Sequence, residues 1–132
     1  MENDFMIASP NKERIMSWMD GLYGFVKFTT LTDKFEKLID NIIRFQPEIV
    51  LLDLELLGYK YNYASKLQSI SNQTKVLILS GIISEDTEYT LLKAGVRGCC
   101  SYDMDAKMLK QVVMAVQQGT VDPSVKTIMH RV

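Results

Sequence analysis

The chain of 132 residues is poor in histidine, cysteine and proline, with one, two and three of them. His130 is the single imidazole and Cys99 and Cys100 are neighbours, so no spaced Cys/His set exists for zinc. Adjacent residues on a strand point to opposite faces, which argues against a structural bridge between the two thiols. No apolar run approaches the ~20 residues of a membrane span. The first residues, Met1-Glu2-Asn3-Asp4, are acidic and contain no apolar signal core. These absences read as a cytoplasmic chain with no membrane role. Charge is also missing: the net value is −1, so the chain as a whole is no polyanion-binding surface. A nucleic-acid role would need a local basic patch or a domain absent from this chain.

What is present is the composition of a globular domain, 47% hydrophobic and 23% charged. A domain of this length buries roughly two thirds of the surface of its unfolded chain. It therefore needs neither metal nor disulfide to fold. Asp4 to Ala8 reads as a first strand. Ser9 is placed to cap a helix that starts at Pro10, with Ile15, Trp18, Met19 and Leu22 at helical spacing. Phe25 to Phe28 reads as a second strand, and Thr32 or Asp33 opens a helix with Phe35, Leu38, Ile39 and Ile42 as its buried stripe. Two unbroken apolar runs follow, Ile49 to Leu52 ending in Asp53 and Val76 to Leu79 ending in Ser80. Runs of this kind suggest strands covered on both faces, as in a parallel sheet. A helix is expected between them from Tyr59 to Ser71. Ser84 caps the next helix, which ends at Gly95. Gly98 to Ser101 makes a short fifth strand, and Leu109, Val112, Val113 and Val116 face inward from a last helix ended by Gly119. Asp122-Pro123 is suited to start a tail helix.

Five strand-then-helix repeats, joined by right-handed crossovers, give a doubly wound five-stranded parallel α/β sheet in order 2-1-3-4-5. Ligands of such sheets sit beyond the carboxyl ends of the strands, near the switch point between strands one and three. Ala8-Ser9, Asp53 and Ser80 fall on that edge. On pattern alone, Asp53 is as readily a solvated strand end or helix cap as a functional carboxylate.

The motifs on this edge resemble the receiver domains of two-component response regulators. Glu48 to Leu54 (EIVLLDL) resembles their phosphoacceptor strand, and Lys75 to Gly81 (KVLILSG) resembles their fourth strand with its switch hydroxyl. Ala94 to Gly98, Leu109 to Gly119 and the stretch Thr120 to Ile128 are similar to receivers of regulators with a LuxR-type DNA-binding domain. The resemblance implies a flavodoxin-like fold over residues 1–119. It implies a linker or tail helix over 120–132 that leads toward a DNA-binding domain. It assigns Asp53 the phosphoacceptor position and Ser80 the switch hydroxyl.

Four departures weaken that assignment. The paired acidic positions that hold magnesium read Ala8 and Ser9, and the lysine position reads Tyr102. The loop after Asp53 reads Leu56-Leu57-Gly58-Tyr59-Lys60-Tyr61 in place of a proline and an Asp-Gly pair, and Cys99 takes the aromatic switch position. Phosphoryl transfer depends on positioning and on neutralising the equatorial oxygens. One carboxylate holds magnesium weakly, and a tyrosine brings no positive charge. The pocket is thus read as lacking both cations, with no metal or cofactor, magnesium entering only if phosphorylation persists. Glu55 is either a substitute ligand or a solvated loop residue.

The resulting expectation is a non-enzymatic, phosphorylation-independent pseudo-receiver that works through protein partners, most simply as a homodimer. Its interface would be the face of the helix after Ser84, the fifth strand and the last helix, with Tyr89, Tyr102 and Met108 as candidates and Met104 beside them. Asp53→Asn is expected to leave signalling largely intact. One alternative is a receiver still phosphorylated at Asp53 by a histidine kinase. Another is a flavin or nucleotide binder of the same fold, disfavoured because Ile7 to Lys12 has no glycine and carries Pro10 where an amide would serve phosphate. Vicinal Cys99 and Cys100 suit either a redox sensor or a buried strand. Met104, Met108 and Met114 suit a partner surface or core filling. Tyr59, Tyr61 and Tyr63 suit a pocket plug or a partner contact, and His130 reads as a plain tail residue.

Overall fold

A computed structural model describes residues 4–58 and 63–119. Its elements are β1 (Asp4–Ala8), α1 (Lys12–Gly21), β2 (Lys27–Thr32), α2 (Phe35–Phe45), β3 (Ile49–Asp53), α3 (Leu54–Leu57), α4 (Tyr63–Ser71), β4 (Lys75–Ser80), α5 (Glu85–Lys93), β5 (Gly98–Ser101) and α6 (Ala106–Gln118). The strands pair in parallel in the order β2-β1-β3-β4-β5, as the repeat pattern requires.

The two-residue period of the strands divides the core. Phe5, Ile7, Ile49, Leu51, Leu77, Leu79 and Cys100 pack on one face with Trp18 and Leu22 at the first helix and with Leu109, Val112, Val113 and Val116 of α6. Met6, Ala8, Val50, Leu52, Val76, Ile78 and Cys99 pack on the other with Leu38, Ile42, Leu67, Ile70 and Leu91. Every residue of β3 is buried, which is why its sequence is unbroken in leucine, isoleucine and valine until Asp53. Each such side chain contributes about 1.5–3 kcal/mol on burial. Cys99 and Cys100 are buried free thiols on opposite faces.

Several boundaries differ from the sequence expectation. The second strand lies at 27–32, because the amides of Phe25 and Val26 donate to the carbonyl of Leu22 and finish the turn after α1. The β-branched stretch that follows, with three threonines, carries the strand. Helix α1 is capped by Asn11, whose side chain accepts from the Arg14 amide at 3.1 Å, and starts at Lys12. Ser9 does not cap it: the residue is fully buried at the end of β1. Neither Thr32 nor Asp33 opens α2. Thr32 is held opposite Ala8 in the β1–β2 ladder, and the N-cap is Lys34, with no side-chain hydrogen bond. The helix expected from Tyr59 begins at Tyr63 within the described residues, and the short α3 precedes it. Tyr59, Tyr61, His130 and the tail helix over 120–132 lie outside the described residues.

Candidate functional site

The carboxyl edge gathers the ends of β1, β3, β4 and β5. Asp53 ends β3 and is completely buried. It is also the N-cap of α3: the amide of Glu55 donates to its Oδ1 at 2.9 Å. The helix-cap reading and the functional-carboxylate reading of Asp53 thus meet in one residue. The Ser9 hydroxyl accepts from the Asn11 amide at 3.1 Å and donates to Asp53 Oδ2 at 2.7 Å. Tyr102 lies just past β5, placed there because its amide donates to the Ser80 carbonyl at 2.8 Å and extends the β4–β5 ladder. Its hydroxyl donates to Asp53 Oδ1.

The fourth donor is Arg14, a residue the sequence reading did not single out. It is the third residue of α1, and helical side chains lean toward the helix N-terminus. In a strand-helix unit that end lies at the carboxyl edge of the sheet, so the guanidinium reaches back over the pocket. Arg14 Nη1 donates to Asp53 Oδ2 at 3.0 Å and to Glu55 Oε2 at 3.1 Å. Its guanidinium carbon stands 3.9 Å from the centre of the Tyr102 ring, a cation–π contact. One turn later, Trp18 stacks on the same ring, with centroids 6.3 Å apart and planes at 24°. A cation in the first turn of a helix opposes the helix dipole, and two carboxylates offset that cost here. Lys12 shares the first turn, so this charge alone does not single out Arg14 in the sequence. The pocket therefore has a cation that the sequence reading did not foresee, supplied neither by magnesium nor by the lysine position. Glu55 is 55% exposed, in keeping with the solvated reading, and it pairs with Arg14 from the first turn of α3.

The environment shifts two of these groups. Partial burial works against the charged form of Arg14, but its hydrogen bonds to Asp53 and Glu55 outweigh that and raise its pKa. Burial, then the hydrogen bond and charge of Asp53, raise the pKa of Tyr102, so its phenol stays protonated and donates. Burial raises both thiols as well, to about 12. Neutral buried thiols are poor nucleophiles, which favours the core reading of Cys99 and Cys100 over the redox one.

Ser80 is buried, and its hydroxyl donates to the Gly81 carbonyl at 2.9 Å rather than to Asp53. Ala8 is buried and packs in the core below the edge. A cavity of about 480 Å³ opens beside Tyr102, walled by Leu54, Ser80, Gly81, Ile82, Ile83 and Thr87. Of the interface candidates, Tyr89 is 66% exposed and Met108 is half-buried. The Tyr102 hydroxyl is already engaged inside the pocket. Met104 packs against the core, and Met114 is exposed.

An ionised carboxylate has about four acceptor sites. Here Oδ1 receives Tyr102 and the Glu55 amide, and Oδ2 receives Ser9 and Arg14. No lone pair of Asp53 remains for magnesium, and among the described residues no group of three or more His, Cys, Asp or Glu side chains is gathered. The donor set does not fit the divalent ion of a receiver.

No protein-family model and no curated protein sequence matches the chain. Solved structures do. The signal receiver domain of NarL from Mycobacterium tuberculosis is 18% identical with a TM-score of 0.79, over 90% of this chain and 98% of that one. The isolated receiver domain of RcsB from Salmonella enterica serovar Typhimurium, with phosphomimetic BeF3−, is 16% identical with a TM-score of 0.79, over 98% and 99%. The non-phosphorylated receiver domain of Escherichia coli RcsB is 15% identical with a TM-score of 0.78, over 91% and 96%. The chain is equally similar to a phosphomimetic-bound and a non-phosphorylated receiver, so overall likeness assigns fold and not state.

Proposed function

We propose that this chain, which has the fold of response-regulator receiver domains, is a receiver-type signalling module that works without aspartyl phosphorylation, in the cytoplasm, through protein–protein contacts. One observation carries the reading: all four acceptor sites of the buried Asp53 carboxylate are filled by donors of its own chain. A phosphoryl group on Oδ2 would displace Ser9 and Arg14, and one on Oδ1 would displace Tyr102 and the Glu55 amide, with no metal-ligand set gathered among the described residues to offset the loss.

The output in this proposal is homodimerisation through α5, β5 and α6, where Tyr89 stands exposed. The net charge of −1 supports protein partners over nucleic acid, and any DNA contact falls to a separate domain, with 120–132 as the linker. The test is titration of the wild-type protein with magnesium and beryllium fluoride, followed by the fluorescence of Trp18, which stacks on Tyr102. No saturable change is expected. A saturable change that Asp53→Asn abolishes would overturn the proposal.

A further inference from the structure

We propose that Arg14 is a built-in counter-ion: its guanidinium takes the place of a divalent cation at Asp53 and, by clamping Tyr102, holds the domain in one state. The inference rests on the phosphate-independent reading above and names the residue that enforces it. A single nitrogen, Nη1, bridges Asp53 Oδ2 and Glu55 Oε2 at 3.0 and 3.1 Å. The buried Asp53 carboxylate and the exposed Glu55 carboxylate are thus joined through one positive charge. Magnesium is held by one or two carboxylates at about 2.0–2.1 Å, and it needs a free lone pair on each. Arg14 removes that lone pair from Asp53 and occupies Glu55 as well.

The same side chain acts on Tyr102. Arg14 and Trp18 sit four residues apart on α1, and helical residues at that spacing are neighbours on one face. Both lie against the Tyr102 ring, while its hydroxyl is fixed by Asp53. The ring also packs over Gly81, where an added Cβ would meet it at 3.8 Å. Tyr102 is therefore held from α1, from β3 and from the end of β4 at once. It forms one wall of the cavity beside α5. Any inward or outward movement of this ring requires Arg14 to let go, so the first helix controls the edge where β5 meets α5.

The test uses magnesium alone on the full chain, with Trp18 fluorescence as the readout. The wild type should stay flat. Arg14→Met, which keeps the stem but loses the charge, should show a saturable response in the millimolar range, and adding Asp53→Asn should abolish it. If Arg14→Met does not fold, Arg14→Ala decides by the same criterion, since it too leaves Asp53 Oδ2 without the guanidinium. A folded Arg14 variant that stays flat overturns the inference and leaves the phosphate-independent reading standing. A wild type that titrates with magnesium as the variant does also overturns it, because the guanidinium would then exclude nothing. Failure of the broader reading has a different signature: a wild-type response that appears only with beryllium fluoride present.

Discussion

Tyr102 donates its hydroxyl to Asp53 across the width of β4, from the end of β5 to the end of β3, and so closes the carboxyl edge of the sheet. Tyr102, which the sequence resemblance sets at the lysine position of a receiver, thus contacts the residue that the same resemblance sets at the phosphoacceptor position. The interaction is neutral donor to carboxylate, and the positive charge comes from Arg14 on another element.

This geometry changes what Asp53→Asn should do. From sequence, the substitution is expected to leave signalling largely intact. The structure shows Asp53 joining β1, α1, α3 and β5, so the variant should also lose stability. Breaking a buried pair costs 3–5 kcal/mol at most, and Arg14 is partly exposed and keeps Glu55, so about 1–3 kcal/mol is expected. Urea unfolding measures it, and an unchanged midpoint would count against a structural role for the carboxylate.

Alkaline pH should weaken the fold through the two thiols. Their pKa is raised from 9.0 to about 12 in the folded state by burial, so unfolded thiols ionise first. Their contribution is fully present below pH 9 and is lost as pH rises toward about 12. The slope reaches about 1.4 kcal/mol per pH unit for each thiol. Tyr102 adds a decline of the same sign above its ordinary value of 10.0. Replacing both cysteines with alanine should flatten the dependence of the urea midpoint on pH above 9, and an unchanged slope would show that the thiols are not titrating.

Gly95 and Gly119 test the backbone. Gly95 has φ +101° and an added Cβ would lie 3.1 Å from the Ser71 Cβ. Gly119 has φ +71° with nothing among the described residues within 4 Å. Gly119→Ala should cost about 1–2 kcal/mol from conformation alone, and Gly95→Ala should cost more because contact adds to it. Thermal or urea midpoints rank the two variants; the reverse order would refute the contact argument.

Association is the test of output. Sedimentation at rising micromolar concentration should show a dimer without any phosphoryl donor. Tyr89→Ala or Met108→Glu should weaken it by tenfold or more, about 1.4 kcal/mol. A monomer at all concentrations would remove the dimer from the proposal.

The sequence by itself determined the sheet. Apolar runs at 49–52 and 76–79, the Ser84 cap and the stripe Leu109, Val112, Val113, Val116 are local or periodic signals, and each is where it was read. It also placed Asp53, Ser80 and Tyr102 on one edge, because parallel topology fixes where strand ends go. The boundaries of β2 and α2 were misread because pairing with β1 overrode the local cap signal at Thr32. What only the tertiary structure decided is the content of the pocket. Whether Arg14 points to solvent or over Asp53 depends on the angle of α1 against the sheet, and that is set by Trp18, Leu22 and α6 packing together in one core. No local pattern encodes a contact across 39 residues of chain. Hence the sequence offers Asp53 and Tyr102 for one edge, and only the fold shows that an arginine reaches back from the first helix to the Asp53 carboxylate.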